Sequence, residues 1–496
     1  MKDLEGEKMR CVLILMDSLN RRALKAYNPD ARGITPNLDV FVKDCIRFDN
    51  HYIGSAPCMP ARRDLWTGRL GFLERGWGPV EAFDITFPML LRKEGICTHI
   101  VTDHTHYFEI GGENYTYMFD TWQYERGQEF DAWISRVKKP VTDPDSYGKK
   151  SPQYLANKER FTSDAEYPSP KTFRTAAKWA QENAGADNFF LQVESFDPHE
   201  PFDAPQEFHD LYGEPPYDGP EFNWSSYAPV TEPPEAVERL NNCYLATLSM
   251  ADKWLGYFLQ SLKDNNLYDD TMIILTTDHG HLLGEHGFTG KNLMHAYNEL
   301  AHIPLFIKLP DGRRAGTRED FITQNIDLMP TILEHFGAEV PDRVQGHSVL
   351  RQIEEPSLRR DYALYGWFGR AVNLFDGRYT YFRGPASLEN KPLNVYCSLP
   401  TTIWRYYGEE YADNMEMGRF LPYTNYPVYR IPVSKEVDIS GPISFVAQNE
   451  LYDLKTDYLQ QHPLQDAQIE EMMCEKMRQA MRQADSPAEQ FVRLGL

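Results

Sequence analysis

The sequence predicts an α/β fold, a mostly parallel sheet covered on both faces by helices, joined to a smaller C-terminal α+β subdomain. Three observations predict it. Short apolar, β-branched runs alternate with longer segments of helical character, the pattern of βαβ units. The 496 residues are 42% apolar and include 29 Tyr, 27 Phe and 9 Trp, enough to fill a sizeable core. From about residue 370 onward the pattern shifts to short strands and aromatic loops.

In chain order, the runs Cys11–Met16, Thr98–Thr102, Phe189–Glu194, Met272–Thr276 and Pro304–Lys308 read as strands, each bounded by polar or turn residues. Helices are expected over Lys171–Asn183, Pro234–Asn265 and Asp327–Phe336, the first two after the proline-rich entries YPSPK and VTEPPE. Residues 140–170, polar and rich in Pro, Lys and Ser, read as a surface excursion. Beyond them, Ala371–Arg383 and Val395–Pro432 read as short strands and loops, and Asp466–Ala484 as a Met- and Gln-rich amphipathic helix. This divides the chain into a larger α/β domain at 1–370 and a smaller subdomain at 371–496.

The chain carries 51 Lys+Arg against 73 Asp+Glu, a net charge of −22. Such a surface opposes non-specific contact with nucleic acid or anionic lipid, because that contact depends on Lys and Arg displacing counterions. Neither nucleic acid nor a membrane is an expected partner. No run approaches the roughly 20 apolar residues that span a bilayer. The start, MKDLEGEKMR then CVLILM, has only six consecutive apolar residues, too few for a signal peptide and right for a first buried strand. The expected location is therefore the cytoplasm. The seven Cys are scattered, with no CxxC pair, and read as buried hydrophobes apart from one.

Polar residues gather where the strands end. In open α/β sheets ligands bind beyond the carboxyl ends of strands. Asp17 follows the first strand, Asp103-His104-Thr105-His106 the second, Ser195-Phe196-Asp197-Pro198-His199 the third and Thr277-Asp278-His279-Gly280-His281 the fourth. A fifth element is Cys58-Met-Pro60-Ala-Arg62. Pro60 suits the first turn of a helix, which puts Cys58 among unpaired N–H groups at the positive end of the dipole. Arg62, four residues on, reaches back over the same face. The result is an oxyanion site that contains a nucleophile. Cys-x-Pro-x-Arg is expected by chance about 0.05 times in a chain of this composition.

The longer pattern Cys58-x-Pro60-x-Arg62-x-x-Leu65-x-Thr67-Gly68 resembles the signature of the type I sulfatases, whose Cys is oxidised to formylglycine after translation. Asp17, Asp197-Pro198-His199, Asp278-His279-Gly280, Gly284-Glu285-His286-Gly287 and Lys291 follow in the order of that family. Asp327-Leu-Met-Pro330-Thr331 and Glu450-Leu-Tyr452-Asp453-Leu454 resemble its later landmarks. The resemblance implies the alkaline-phosphatase-like fold, with a mixed, mostly parallel sheet, and hydrolysis of a sulfate ester or sulfamate. It implies one divalent cation, Ca²⁺ in most of the family, surrounded by Asp17, Asp278, His279 and the modified Cys58. Because imidazole suits softer metals, His279 keeps Mg²⁺ and Mn²⁺ open. By the same resemblance Arg62, His104, His106, His199 and Lys291 bind sulfate, activate the nucleophile or protonate the leaving group. A formylglycine-generating maturation enzyme is an implied partner, and a homo-oligomer is left open.

Two departures stand out. Ser18 occupies a position where many sulfatases carry a second Asp, and His104-Thr105-His106 stands where many have Lys-x-His. Ser18 keeps a phosphonate monoester or phosphodiester hydrolase as the alternative, and a Cys58 never converted would leave a non-catalytic anion-binding protein. The expected substrate is a small sulfated carbohydrate. The aromatic stretch Trp404–Tyr429 reads equally as a stacking surface for a ring and as packing for the subdomain.

Overall fold

The computed structural model describes residues 9–433 and 441–496. Its centre is an eight-stranded sheet in the order Arg318–Gln324, Ile46–Tyr52, Leu305–Lys308, Met272–Thr276, Arg10–Met16, Phe189–Ser195, Cys97–Thr102, Thr121–Tyr124. Leu305–Lys308 runs antiparallel to both neighbours and all other pairs are parallel, so the sheet is mixed and mostly parallel.

All seven residues of Arg10–Met16 are buried. Alternation explains why this strand reads as an unbroken apolar run. Val12, Ile14 and Met16 pack against the Pro168–Glu182 and Pro234–Asp264 helices, while Cys11, Leu13 and Leu15 pack against Leu65 and Trp66 of the Cys58–Thr67 helix and Leu328–Leu333. At roughly 1.5–3 kcal/mol for each large apolar side chain removed from water, a central strand with helices on both faces is the strongest local determinant of the layout.

All five expected strands and all three expected helices before residue 340 are present within a few residues of the expected bounds. Three sheet strands were not legible: Ile46–Tyr52, Thr121–Tyr124 and Arg318–Gln324. Two of these lie at the sheet edges, and all three carry polar residues at exposed or half-buried positions, which erases the apolar run. Within 140–170, expected as a surface excursion, a Pro152–Lys158 helix forms; Ser151 caps it, accepting from the Tyr154 N–H at 3.0 Å, and Tyr154, Ala156 and Asn157 are buried.

A five-stranded sheet holds Glu450–Asp453, Tyr379–Arg383, Val372–Phe375 and Ala363–Trp367, and its last strand is Ser55–Ala56. Gly366 and Trp367 pair in parallel with Ser55 and Ala56, so the C-terminal part of the chain grips the backbone just ahead of Cys58. A three-stranded sheet contains Asn394–Cys397, Val428–Pro432 and Glu416–Gly418. The terminal amphipathic helix spans Ala467–Gln483 and lays Met473, Met477 and Met481 against Leu364, Val372 and Leu374. Among the described residues no helix is long and apolar enough to cross a membrane.

Candidate active site

Strand ends bring the first three groups together. Asp17 directly follows Arg10–Met16, Asp278 and His279 follow Met272–Thr276 by one residue, and Cys58 opens the Cys58–Thr67 helix. One ligand atom from each of Asp17, Cys58, Asp278 and His279 lies within 4.8 Å of the others, and all four residues are buried. His279 Nδ1 sits 2.8 Å from the Gly280 carbonyl, so Nδ1 carries the proton and the Nε2 lone pair faces inward, 3.3 Å from Cys58 Sγ. Burial holds the His279 imidazole below its ordinary range and therefore neutral. Two carboxylates, one neutral imidazole and one further donor converging in a buried place fit a divalent cation.

Arg62 organises this cluster. Its Nη2 donates to Asp17 at 2.8 Å, Nη1 to Asp278 at 2.6 Å and to the Cys58 carbonyl at 3.0 Å, and Nε to Glu194 at 2.6 Å. Burial opposes its charge, but Glu194, Asp278 and Asp17 outweigh burial and hold Arg62 well above its ordinary range. Asp17 is shifted the other way: burial raises it, and Arg62, Lys291 and His279 prevail, so the carboxylate is held below its usual range. Glu194, which the sequence reading missed, also accepts from the Tyr107 hydroxyl at 2.9 Å. Its signal was a lone carboxylate in the buried strand FFLQVES.

Behind Cys58 lies a second pair. His199 Nε2 is 3.9 Å from Cys58 Sγ and accepts a short contact from Lys291 Nζ, while His199 Nδ1 is 2.6 Å from the Glu200 carbonyl. Burial lowers His199 to about 3, leaving it neutral. Lys291 is raised: burial opposes its charge, and the nearby carboxylates of Glu200, Asp17 and Asp278 overcome that opposition. The Cys58 thiol is itself pushed well above its ordinary range by burial and by Asp17, so it stays protonated and is a poor nucleophile.

The two histidines beyond the Cys97–Thr102 strand differ. His104 is fully buried, with Nε2 3.9 Å from Asp17 and neither ring nitrogen hydrogen-bonded; burial and then Arg62 keep it neutral. His106 lies between Glu109 at 3.0 Å and Glu129 at 3.4 Å, beside Trp77 and Trp404. Burial opposes its charge, yet the two glutamates raise it to about 9, so it is an imidazolium at neutral pH. The sequence does not distinguish these two histidines; their surroundings make one neutral and one cationic. His281 Nε2 meets Ser225 at 2.6 Å and His286 stacks on Tyr297 at 3.6 Å, both bracing the loop.

A family model described as Sulfatase matches residues 10–338. A choline-sulfatase of Rhizobium meliloti is 26% identical over 79% of this chain and 79% of its own length. An N-acetylglucosamine-6-O-sulfatase of Bacteroides thetaiotaomicron is 24% identical over 73% of this chain and 75% of its own. Among solved structures, one described as a complex with its substrate D-glucosamine-2-N,6-O-disulfate superposes with a TM-score of 0.68 at 18% identity, covering 97% of this chain and 99% of that one. A phosphonate monoester hydrolase of Agrobacterium radiobacter gives 0.65 at 18% identity, covering 96% and 95%.

Proposed function

Because the chain belongs to the sulfatase family, with the alkaline-phosphatase-like fold and the activity of a sulfuric ester hydrolase, we propose that it cleaves the sulfate ester of a small carbohydrate using a formylglycine made from Cys58 and one divalent cation. The observation that carries this reading is the buried convergence of Asp17, Cys58, Asp278 and His279 beside the His199–Lys291 pair. Hydrated formylglycine supplies two geminal oxygens, one to attack sulfur and one whose deprotonation releases sulfate. The cation, Ca²⁺ with Mg²⁺ or Mn²⁺ as alternatives, supplies Lewis-acid stabilisation of charge on the ester oxygens.

The chain's own side chains do the rest. Arg62 fixes both Asp carboxylates in orientation while Glu194 balances its charge. The first turn of the Cys58–Thr67 helix offers its positive end to the sulfate oxygens. Protonated Lys291, in contact with the Nε2 lone pair of His199, is the proton source for the departing alcohol oxygen. The neutral His104 ring, without a hydrogen-bond partner and 3.9 Å from Asp17, supports this residue as the acceptor of the proton on that side.

The alternative, a phosphonate monoester or phosphodiester hydrolase, is supported by Ser18 in place of a second carboxylate. Mass spectrometry of protein made with a maturation enzyme should find an aldehyde at position 58. The same preparation, assayed on sulfated saccharides and on nitrophenyl sulfate, phosphate and phosphonate esters, should prefer the sulfates. Full turnover by wholly thiol protein would refute the formylglycine reading, and a preference for phosphonate would establish the alternative.

A further inference from the structure

We propose that Glu200 is a positioning residue that holds His199 and Lys291 in the arrangement that protonates the leaving oxygen; this rests on the acid role given above to that pair. Glu200 is 0% exposed. Its carboxylate lies 3.4 Å from His199 Nδ1, 3.4 Å from His281 Nδ1 and 3.9 Å from Lys291 Nζ, and it takes a short hydrogen bond from the Tyr227 hydroxyl. Among the described residues it is the carboxylate that pairs with Lys291. Lys149 stands 3.5 Å over the Tyr227 ring, adding positive charge on the far side.

A buried carboxylate is costly unless other groups compensate it, and here the compensating groups are the ones that face the reacting atoms. Glu200 faces His199 twice: its backbone carbonyl, 2.6 Å from Nδ1, sets the tautomer and the plane of the ring, and its carboxylate, 3.4 Å from the same nitrogen and not hydrogen-bonded to it, places negative charge behind the ring. It acts on Lys291 as a counter-charge behind the ammonium. With both fixed, His199 Nε2 and Lys291 Nζ meet beside Cys58. As the hydroxyl at residue 58 passes its proton to His104 and its oxygen bonds to sulfur, the bond from sulfur to the alcohol oxygen breaks with its electron pair on that oxygen, and the Lys291 proton ends there. Alkoxide leaving groups need that proton; nitrophenolate needs it far less.

The test uses aldehyde-bearing enzyme and compares kcat on a sugar O-sulfate with kcat on 4-nitrophenyl sulfate. Glu200→Gln should lose at least about tenfold more on the sugar ester, with affinity for inorganic sulfate, measured by calorimetry, kept within about threefold. Equal loss on both esters, or loss of sulfate affinity together with kcat, would overturn the proposal in favour of a structural role. Glu200→Asp and Tyr227→Phe carry the test where Glu200→Gln does not fold: each should shift the same ratio by at least about threefold, and an unchanged ratio counts against the proposal. Lys291→Ala separates the two layers. If it shows no leaving-group dependence the acid role itself fails, and if it does while Glu200→Gln does not, only the role of Glu200 fails.

Discussion

Asp278 and His106 show how much one residue's surroundings decide. Asp278 accepts from Arg62, from the Ser18 N–H and from the His279 N–H, so its oxygens are fixed before any ligand arrives. Asp278→Asn keeps the shape and removes the charge; it should abolish both retained metal, by elemental analysis, and turnover, with the fold intact by circular dichroism. Retention of one equivalent of metal would place the cation elsewhere. Against the opposition of burial, Glu109 and Glu129 raise the His106 imidazole from its ordinary value near 6.5 to about 9. The folded state binds its proton more tightly, so the contribution to stability is complete below pH 6.5 and is lost as pH rises to about 9. Wild-type protein should therefore lose on the order of 2–3 kcal/mol across that window, and His106→Gln should flatten the slope of melting temperature against pH there. Parallel slopes in the two proteins would show that other groups carry the effect.

At the scale of elements, the short Phe288–Gly290 strand determines where Lys291 points. Gly290 has φ of +113°, and a Cβ there would lie 3.1 Å from the Tyr227 Cα and ring. Gly290→Ala should push Tyr227 and Lys291 apart, lowering kcat by at least about tenfold and stability by about 1–3 kcal/mol, read from steady-state kinetics and thermal melts. Unchanged kcat would mean that the strand tolerates the shift. The start of the Cys58–Thr67 helix was readable in advance because Pro60, suited to a first helical turn, is a local signal. The Ser55–Ala56 strand before it was not, since its partner lies some 300 residues away in the sequence and a two-residue strand has no periodicity.

For the whole molecule, the net charge of −22 opposes a long polyanion, while the cationic groups near Cys58 act over roughly a Debye length, about 8 Å at physiological salt. Activity should therefore fall with saccharide length at low ionic strength and recover as salt is added. A kcat/KM on intact sulfated polysaccharide equal to that on the matching disaccharide would point instead to a local basic groove.

What the sequence determined by itself is what depends on local pattern: the five core strands, the three long helices, the helix start at Cys58 and the chemical types at the strand ends. The sulfatase family, too, was legible from Cys58 through Lys291, because those residues sit in short runs with fixed spacing. Glu194 and Glu200 were not legible as parts of the site. Their roles arise from groups brought to them across the fold: Arg62 and Tyr107 to one, and Lys291, His281 and Tyr227 to the other. The same holds for the split between neutral His104 and cationic His106, two residues apart in the chain. Ionisation depends on burial and on neighbouring charge, and both are properties of tertiary packing rather than of sequence spacing.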